Sequence, residues 1–530
     1  MRRNAHYYIA CAAVIILATW LRVHNLDLRP MHTDEAVHAV KFGELLEKGD
    51  YFYDYDEYHG PTLNYFTLLP AWLSNHNSYA DLNETVLRIV PAMFGLFLCA
   101  GLLFLAPGLG RMAALFSALF AAVSPAMVFY SRYYIQEMLL VFFTLCTILA
   151  FFYFFQTRKV VQAGFAGLCL GLMNATKETW IISVAVFFIA LMSAIIWHQG
   201  RIQLQNKRTL WRGAGIAFVA FALISVLFFS SFGKNPIGIW HSVYTYFTYF
   251  DRAANNSIHI HPWYFYLKLL TYFKIGEGPL WTEAAVLTAA IIGIIAIINK
   301  NNKAHTDGIL PKFFVVYALL MLAVYSLIPY KTPWNLLSFY LGFILLAGIG
   351  VAELFRMISK HRTKTAVGFI FFFVIVHLLW QTFLGNGKYD AHPANPYVYA
   401  HTHPDIFKIV DRLQDISSKQ PEKNNLYIQV MCSGKDYWPL PWYLRQYTQV
   451  GWWSHVPARQ KLAPIVILTP DLEADFVEHN YELSPPGHRY LYIPLFEEMM
   501  YLRPGIELRC YIRKKEWDVW QRTGAEQAFP

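Results

Sequence analysis

Charged residues are scarce in this chain: Asp, Glu, Lys and Arg together make up 15% of its 530 residues, while apolar types make up 56%. A soluble domain of this length carries more charge, and a mean hydropathy of +0.31 assigns most of the chain to lipid. There is no glycine-rich phosphate loop and no dinucleotide fingerprint, which argues against an ATP-driven pump. Internal repeats and low-complexity tracts are absent too. The six cysteines show no zinc-ligand spacing; Cys11, Cys99, Cys146 and Cys169 fall in apolar runs, where a thiol packs like a small hydrophobe. No nucleic-acid motif is present, so the net charge of +9 needs another explanation.

What the chain has instead is a series of apolar runs. About eleven are long enough to be read as membrane spans, near residues 7–26, 85–106, 112–130, 138–156, 160–175, 179–197, 213–232, 281–298, 313–329, 335–355 and 366–384. The expected fold class is therefore a polytopic α-helical membrane protein. The fifth run is short and the third contains Pro125. The first lacks a small-residue cleavage site after its apolar stretch, which makes it an anchor. With Arg2 and Arg3 inside, alternate threading gives inner connections at Arg111, at Arg158-Lys159, from Arg201 through Lys207, Arg208 and Arg212, at Lys300, Lys303 and Lys312, and at Arg356, Lys360, Arg362 and Lys364. All are basic, as short cytoplasmic loops are, and topology then explains most of the net charge.

The same threading gathers the polar turns on the outer face. They are the first loop (27–84) with Asp34 and Glu35, the turn with Arg132 and Glu137, the turn with Lys177 and Glu178, an aromatic loop (233–280), the turn with Tyr330 and Lys331, and everything after about 385. Ionisable groups at a membrane edge are costly and usually functional. Arg132, Lys177 and Lys331 each stand alone among aromatic residues, an arrangement that suits a lipid-borne phosphate. Each also has a plainer reading, since Arg132 with Glu137, and Lys177 beside Glu178, would serve as interfacial pairs that anchor span ends. Asp34-Glu35 suits the start of a surface helix over 34–48, capped by Thr33 or Asp34. A helix start also fixes a carboxylate in place, so the two readings agree. The aromatic loop, with Trp240, His259, His261 and Trp263, reads as an interfacial helix pair or lid.

Five motifs in chain order carry a resemblance. His32-Thr33-Asp34-Glu35-Ala36, Tyr58-His59-Gly60-Pro61, Thr176-Lys177-Glu178-Thr179, Tyr330-Lys331-Thr332-Pro333-Trp334 and Trp438-Pro439-Leu440-Pro441-Trp442-Tyr443 resemble the GT-C superfamily of membrane glycosyltransferases. Within it the chain is similar to the protein O-mannosyltransferases and lipid A aminoarabinose transferases, and most like the flippase-activity-associated proteins. The resemblance implies transfer of a sugar from a polyprenyl-phosphate donor to a protein, lipid or glycan acceptor at the outer face. It implies Asp34 as the base, and Arg132, Lys177 and Lys331 as cations for the leaving phosphate. Glu35 would orient the acceptor, restrain a cation or bind a metal. Glu137, Glu178, His59 and Tyr330 would play supporting parts. A divalent metal stays open, with Asp34, Glu35, Asp54, Asp56, Glu57, His59, His259 and His261 as candidate ligands, although no second ligand set at diagnostic spacing follows Asp54-x-Asp56-Glu57. The alternative function is a lipid-linked sugar flippase or another secondary transporter without glycosyl transfer; a third reading is a sensor or scaffold. The expected location is the cell (inner) membrane, with the N-terminus cytoplasmic.

Composition changes sharply after 385. The expected organisation is a transmembrane domain over 1–384, a linker over 385–400 and a small extracytoplasmic α/β domain over 401–530. Strands are predicted over 426–431 and 464–468, and helices over 404–417 and 441–447. Cys432 and Cys510, both on the outer side, form one candidate disulfide.

Overall fold

The computed structural model describes residues 2–56, 59–198, 207–255, 259–299, 308–458, 460–485 and 487–528. The basic connections at 201–206 and at Lys300 and Lys303, together with Glu57 and Tyr58, lie outside the described residues. Every predicted span is helical. Among the described residues eight helices are long and apolar enough to cross a membrane, beginning with α1 (Arg2–Val23); a bent pair, Arg111–Val123 and Pro125–Ser131, makes a ninth, and Val160–Asn174 and Ala284–Ile298 are two shorter apolar helices. The protein is a multi-pass membrane protein, because a helix satisfies its own backbone hydrogen bonds and lipid offers no others.

The bend in the third span has a local cause. Pro125 stands at the first helical position after Ser124, and the Ser124 hydroxyl accepts from the Met127 amide, so one helix stops and a second starts at an angle of 61°. The short Ala284–Ile298 helix is held by close approach instead. Gly293 and Gly350 face the backbone of the opposing helix, and a methyl group at either would overlap it. The partner helix, Leu336–Met357, is buried along nearly all its length, whereas Lys207–Phe229 and His361–Gly385 leave most of their surface for lipid.

Contacts divide the chain into two compact units. The first comprises 1–26, 48–75 and 84–399, and holds all the spans. Its last stretch is turn-rich: the Asn395 amide donates to the carbonyls of Gly385 and Tyr389.

The second unit comprises 27–47, 76–83 and 400–530. Its sheet runs β2 (Val450–Trp453), β1 (Ile428–Met431), β3 (Ile465–Leu468), β6 (Ile506–Arg513), β4 (Tyr492–Pro494), with β5 (Met500–Arg503) paired to β6. β1 is parallel to both neighbours, while β3, β4 and β5 meet β6 antiparallel. β1 and β3 fall where the continuous apolar runs predict them, since both faces are buried. The predicted helix over 404–417 is Asp405–Ser418, but that over 441–447 is only the single turn Leu440–Tyr443. One face packs Met431, Val466, Leu468, Phe476 and Tyr492 into a core. Cys432 and Cys510 are both free and buried, so the candidate disulfide does not form; burial pushes each thiol up to about 12.

Candidate active site

In the first unit two distant motifs meet through a missing side chain. Gly60 lies against the backbone of Ala175 and Thr176, where a Cβ would overlap the Ala175 carbonyl. The Thr62 amide donates to that carbonyl at 3.1 Å, and the hydroxyls of Thr62 and Thr176 are 2.8 Å apart. This registration sets the His59 ring 2.7 Å from the Glu178 carboxylate, whose other oxygen accepts from the Tyr53 hydroxyl at 3.3 Å. One residue earlier, Lys177 donates to Oε1 of Glu137 at the first turn of the Glu137–Thr157 helix; both side chains are about 5% exposed or less. The other Glu137 oxygen, Oε2, is buried and has no hydrogen-bond partner among the described residues.

Burial opposes charge on Glu178, yet the His59 ring, a backbone amide and Lys177 outweigh it and hold the carboxyl below the usual range. Burial likewise opposes charge on Lys177, and the carboxylates of Glu137 and Glu178 outweigh it, so the ammonium titrates above the ordinary lysine value.

Arg132 is placed differently. Its guanidinium donates to the carbonyls of Leu21, Arg22, His24 and Asn25, at 3.2, 3.3, 2.6 and 2.7 Å, and so ties down the end of α1, whose last carbonyls lack helical partners. Glu137 thus pairs with Lys177 rather than with Arg132. Lys331 donates to the carbonyls of His261 and Ile328, at 3.0 and 2.5 Å, and its amide donates to His259. The Tyr330 ring packs on His259 with centroids 4.9 Å apart, and a single hydroxyl, that of Tyr399, contacts His259 Nδ1 at 2.7 Å and His261 Nε2 at 3.2 Å. Burial, His259 and Lys331 together lower the His261 imidazole from its usual value. The aromatic loop contains two helices, Gly238–Asn255 and Phe265–Thr271.

In the second unit Asp34 and Glu35 occupy the first turn of α2 (Thr33–Lys48); the helix starts at Thr33, one residue before the predicted 34, so His32 rather than Thr33 or Asp34 precedes it. Their surroundings separate them. Glu35 is fully buried, accepts from the His32 amide at 3.0 Å and lies 3.8 Å from Arg29, so it closes the helix start. Asp34 is 43% exposed, with its amide donating to His32 Nδ1 at 3.0 Å.

Among the described residues no group of three His, Cys, Asp or Glu side chains comes together to hold a metal, and Glu57 lies outside them. Asp54 instead accepts from the Asp56 amide at 2.8 Å, a local turn.

Several residues escaped the sequence reading. Arg22, fully buried, donates to Ala121, Ala122 and Ser131, and Arg88 donates to Leu26. Glu283 accepts from the Ser124, Tyr340 and Tyr397 hydroxyls and the Ala126 amide. An acid inside a predicted span was a sufficient signal for Glu283. Nothing local marks Tyr53 or Tyr399.

Residues 12–243 match a family model described as dolichyl-phosphate-mannose-protein mannosyltransferase. No curated protein matches the chain in sequence. Among solved structures the chain is similar to ArnT from Cupriavidus metallidurans bound to undecaprenyl phosphate, with a TM-score of 0.62 at 13% identity, over 95% of this chain and 98% of that one. It is also similar to the archaeal oligosaccharyltransferase AglB from Archaeoglobus fulgidus, in complex with an inhibitory peptide and a dolichol-phosphate, with a TM-score of 0.55 at 11% identity over 98% and 77%. The chain shares its fold with these two structures.

Proposed function

We propose that the protein is a membrane glycosyltransferase that moves a sugar from a polyprenyl phosphate to an acceptor at the outer membrane face, a reaction that requires a donor, a base and an acceptor. The acceptor hydroxyl attacks the anomeric carbon, the bond from that carbon to the phosphate oxygen breaks, and the phosphate leaves with the electron pair. Asp34 takes the acceptor proton. Lys177 and Lys331 stabilise the charge gathering on the phosphate. Arg132, with its N–H groups committed to carbonyls, positions the end of α1 and adds its charge. Glu137, Glu178 and His59 hold Lys177 and its turn in place, and Tyr330 supports the Lys331 turn. The basic connections face the cytoplasm in this reading, which puts the second unit outside.

The observation that carries the reading is the contrast at the start of α2, where Glu35 is buried in the helix cap and Asp34 keeps a partly exposed carboxylate, 3.8 Å from His32 Nδ1. Polyprenyl phosphates in the two similar structures support the donor class. The test is product formation by purified wild type and Asp34→Asn with a panel of polyprenyl-phosphate sugars and a membrane extract as acceptor. Transfer that disappears in a folded variant supports the proposal, and transfer that survives removes Asp34 as the base. Donor movement across a vesicle without any product would favour the flippase instead.

A further inference from the structure

The second unit carries an aromatic cluster outside its core. Tyr437, Trp438 and Trp452 are all half-buried. The Tyr437 ring lies 5.0 Å from that of Trp452, tilted by 44°, and 6.1 Å from that of Trp438, tilted by 34°. Trp452 stands on β2, which among the described residues is an edge strand paired with β1 alone. Its neighbour Trp453, on the opposite face of the strand, packs on the core; Trp452 does not. Aromatic side chains left half in solvent beside a polar group are characteristic of recognition surfaces.

The polar group here is a charge pair. Asp436, immediately before Tyr437, accepts from Nη2 of Arg503 at 2.5 Å, with the Asp436 side chain 50% exposed and Arg503 19% exposed. The Nε–H of Arg503 has no hydrogen-bond partner among the described residues. Nη1 of the same guanidinium lies 3.5 Å from the Thr33 hydroxyl, one residue before Asp34. The donor–acceptor pair therefore adjoins the turn that bears the proposed base, and Tyr437 follows Asp436 directly in the chain.

We propose that Tyr437, Trp438 and Trp452, with Asp436 and Arg503, form a carbohydrate-binding subsite that receives a glycan acceptor, an inference that rests on the glycosyl-transfer reading. A pyranose has one face of C–H bonds, which meets the electron-rich face of an aromatic ring, and a rim of hydroxyls, which a carboxylate and a guanidinium engage from the side. The pair is neutral overall, which suits an uncharged polyol better than an anionic or a basic ligand. The rival occupant is a peptide strand added to the β2 edge, but that edge is only four residues long, Val450–Trp453.

The test is ligand-observed NMR on the full-length protein in nanodiscs, free of glycoside detergents that would compete, using manno-, gluco-, galacto- and N-acetylglucosamine trisaccharides and a neutral hexapeptide. At least one trisaccharide is expected to bind saturably to wild type. Trp452→Ala is expected to weaken it about tenfold or more, and Trp452→Phe, which keeps a ring and guards against misfolding, to stay within about threefold. No binding by any trisaccharide, equal binding by Trp452→Ala, or binding of the peptide alone overturns the proposal. Binding needs no turnover: saccharide binding by a protein that transfers no sugar would sink the transfer reading, and transfer without saccharide binding would sink the subsite.

Discussion

Lys177 and Glu137 form a buried ion pair between the turn after the Val160–Asn174 helix and the first turn of the Glu137–Thr157 helix. Removing one partner from such a pair strands the other charge, so Lys177→Met is expected to cost about 3–5 kcal/mol of stability. The double variant Lys177→Met with Glu137→Leu is expected to recover most of that in thermal unfolding, yet to transfer no sugar. Recovery of transfer in the double variant would make Lys177 a purely structural residue.

Asp34→Asn is expected to leave thermal stability within about 0.5 kcal/mol of wild type, because its side chain is 43% exposed, while lowering turnover by about 10²–10⁴. Glu35→Gln is expected to show the opposite balance, since it weakens a buried helix cap. Unfolding curves and transfer rates of the two variants, measured side by side, check both expectations.

The Glu178 carboxyl is held below the usual range in the fold. A group lowered in this way contributes stability above its unfolded value, about 4.3, and loses that contribution as pH falls through the folded value. His59→Ala removes the largest opposing influence on burial, so the carboxyl rises and the loss begins at higher pH. The acid midpoint of a stability-versus-pH curve is expected to move up by about one unit; an unchanged midpoint would show that His59 does not hold the charge.

Cys432 and Cys510 are buried thiols raised to about 12. Neither is expected to react with iodoacetamide at pH 8 in the folded protein, and both are expected to react after denaturation. Mass spectrometry of the labelled peptides, with and without reductant, gives the answer directly.

Glu283→Ala would leave three hydroxyls and an amide without their shared acceptor. A loss of about 3 kcal/mol or more is expected, seen as a lower unfolding temperature in detergent.

The helical spans, the bend at Pro125 and, to within one residue, the start of α2 were legible in the sequence because each depends on neighbours along the chain: a run of apolar residues, a missing N–H, an acidic first turn. β1 and β3 were legible for the same reason, whereas β2, β4, β5 and β6 carry no comparable apolar run and form only where a partner strand stands beside them. The outer turns announced candidate residues without saying which charge meets which. That was decided by approach between distant segments: Gly60, lacking a side chain, lets Ala175 come close and so brings His59 to Glu178, and Glu137 goes to Lys177 rather than to Arg132. The dipeptide Asp34-Glu35 looks symmetric as a sequence. Tertiary burial alone made one carboxylate a helix cap and left the other partly exposed, because a helix turns about 100° per residue and so points neighbouring side chains in different directions.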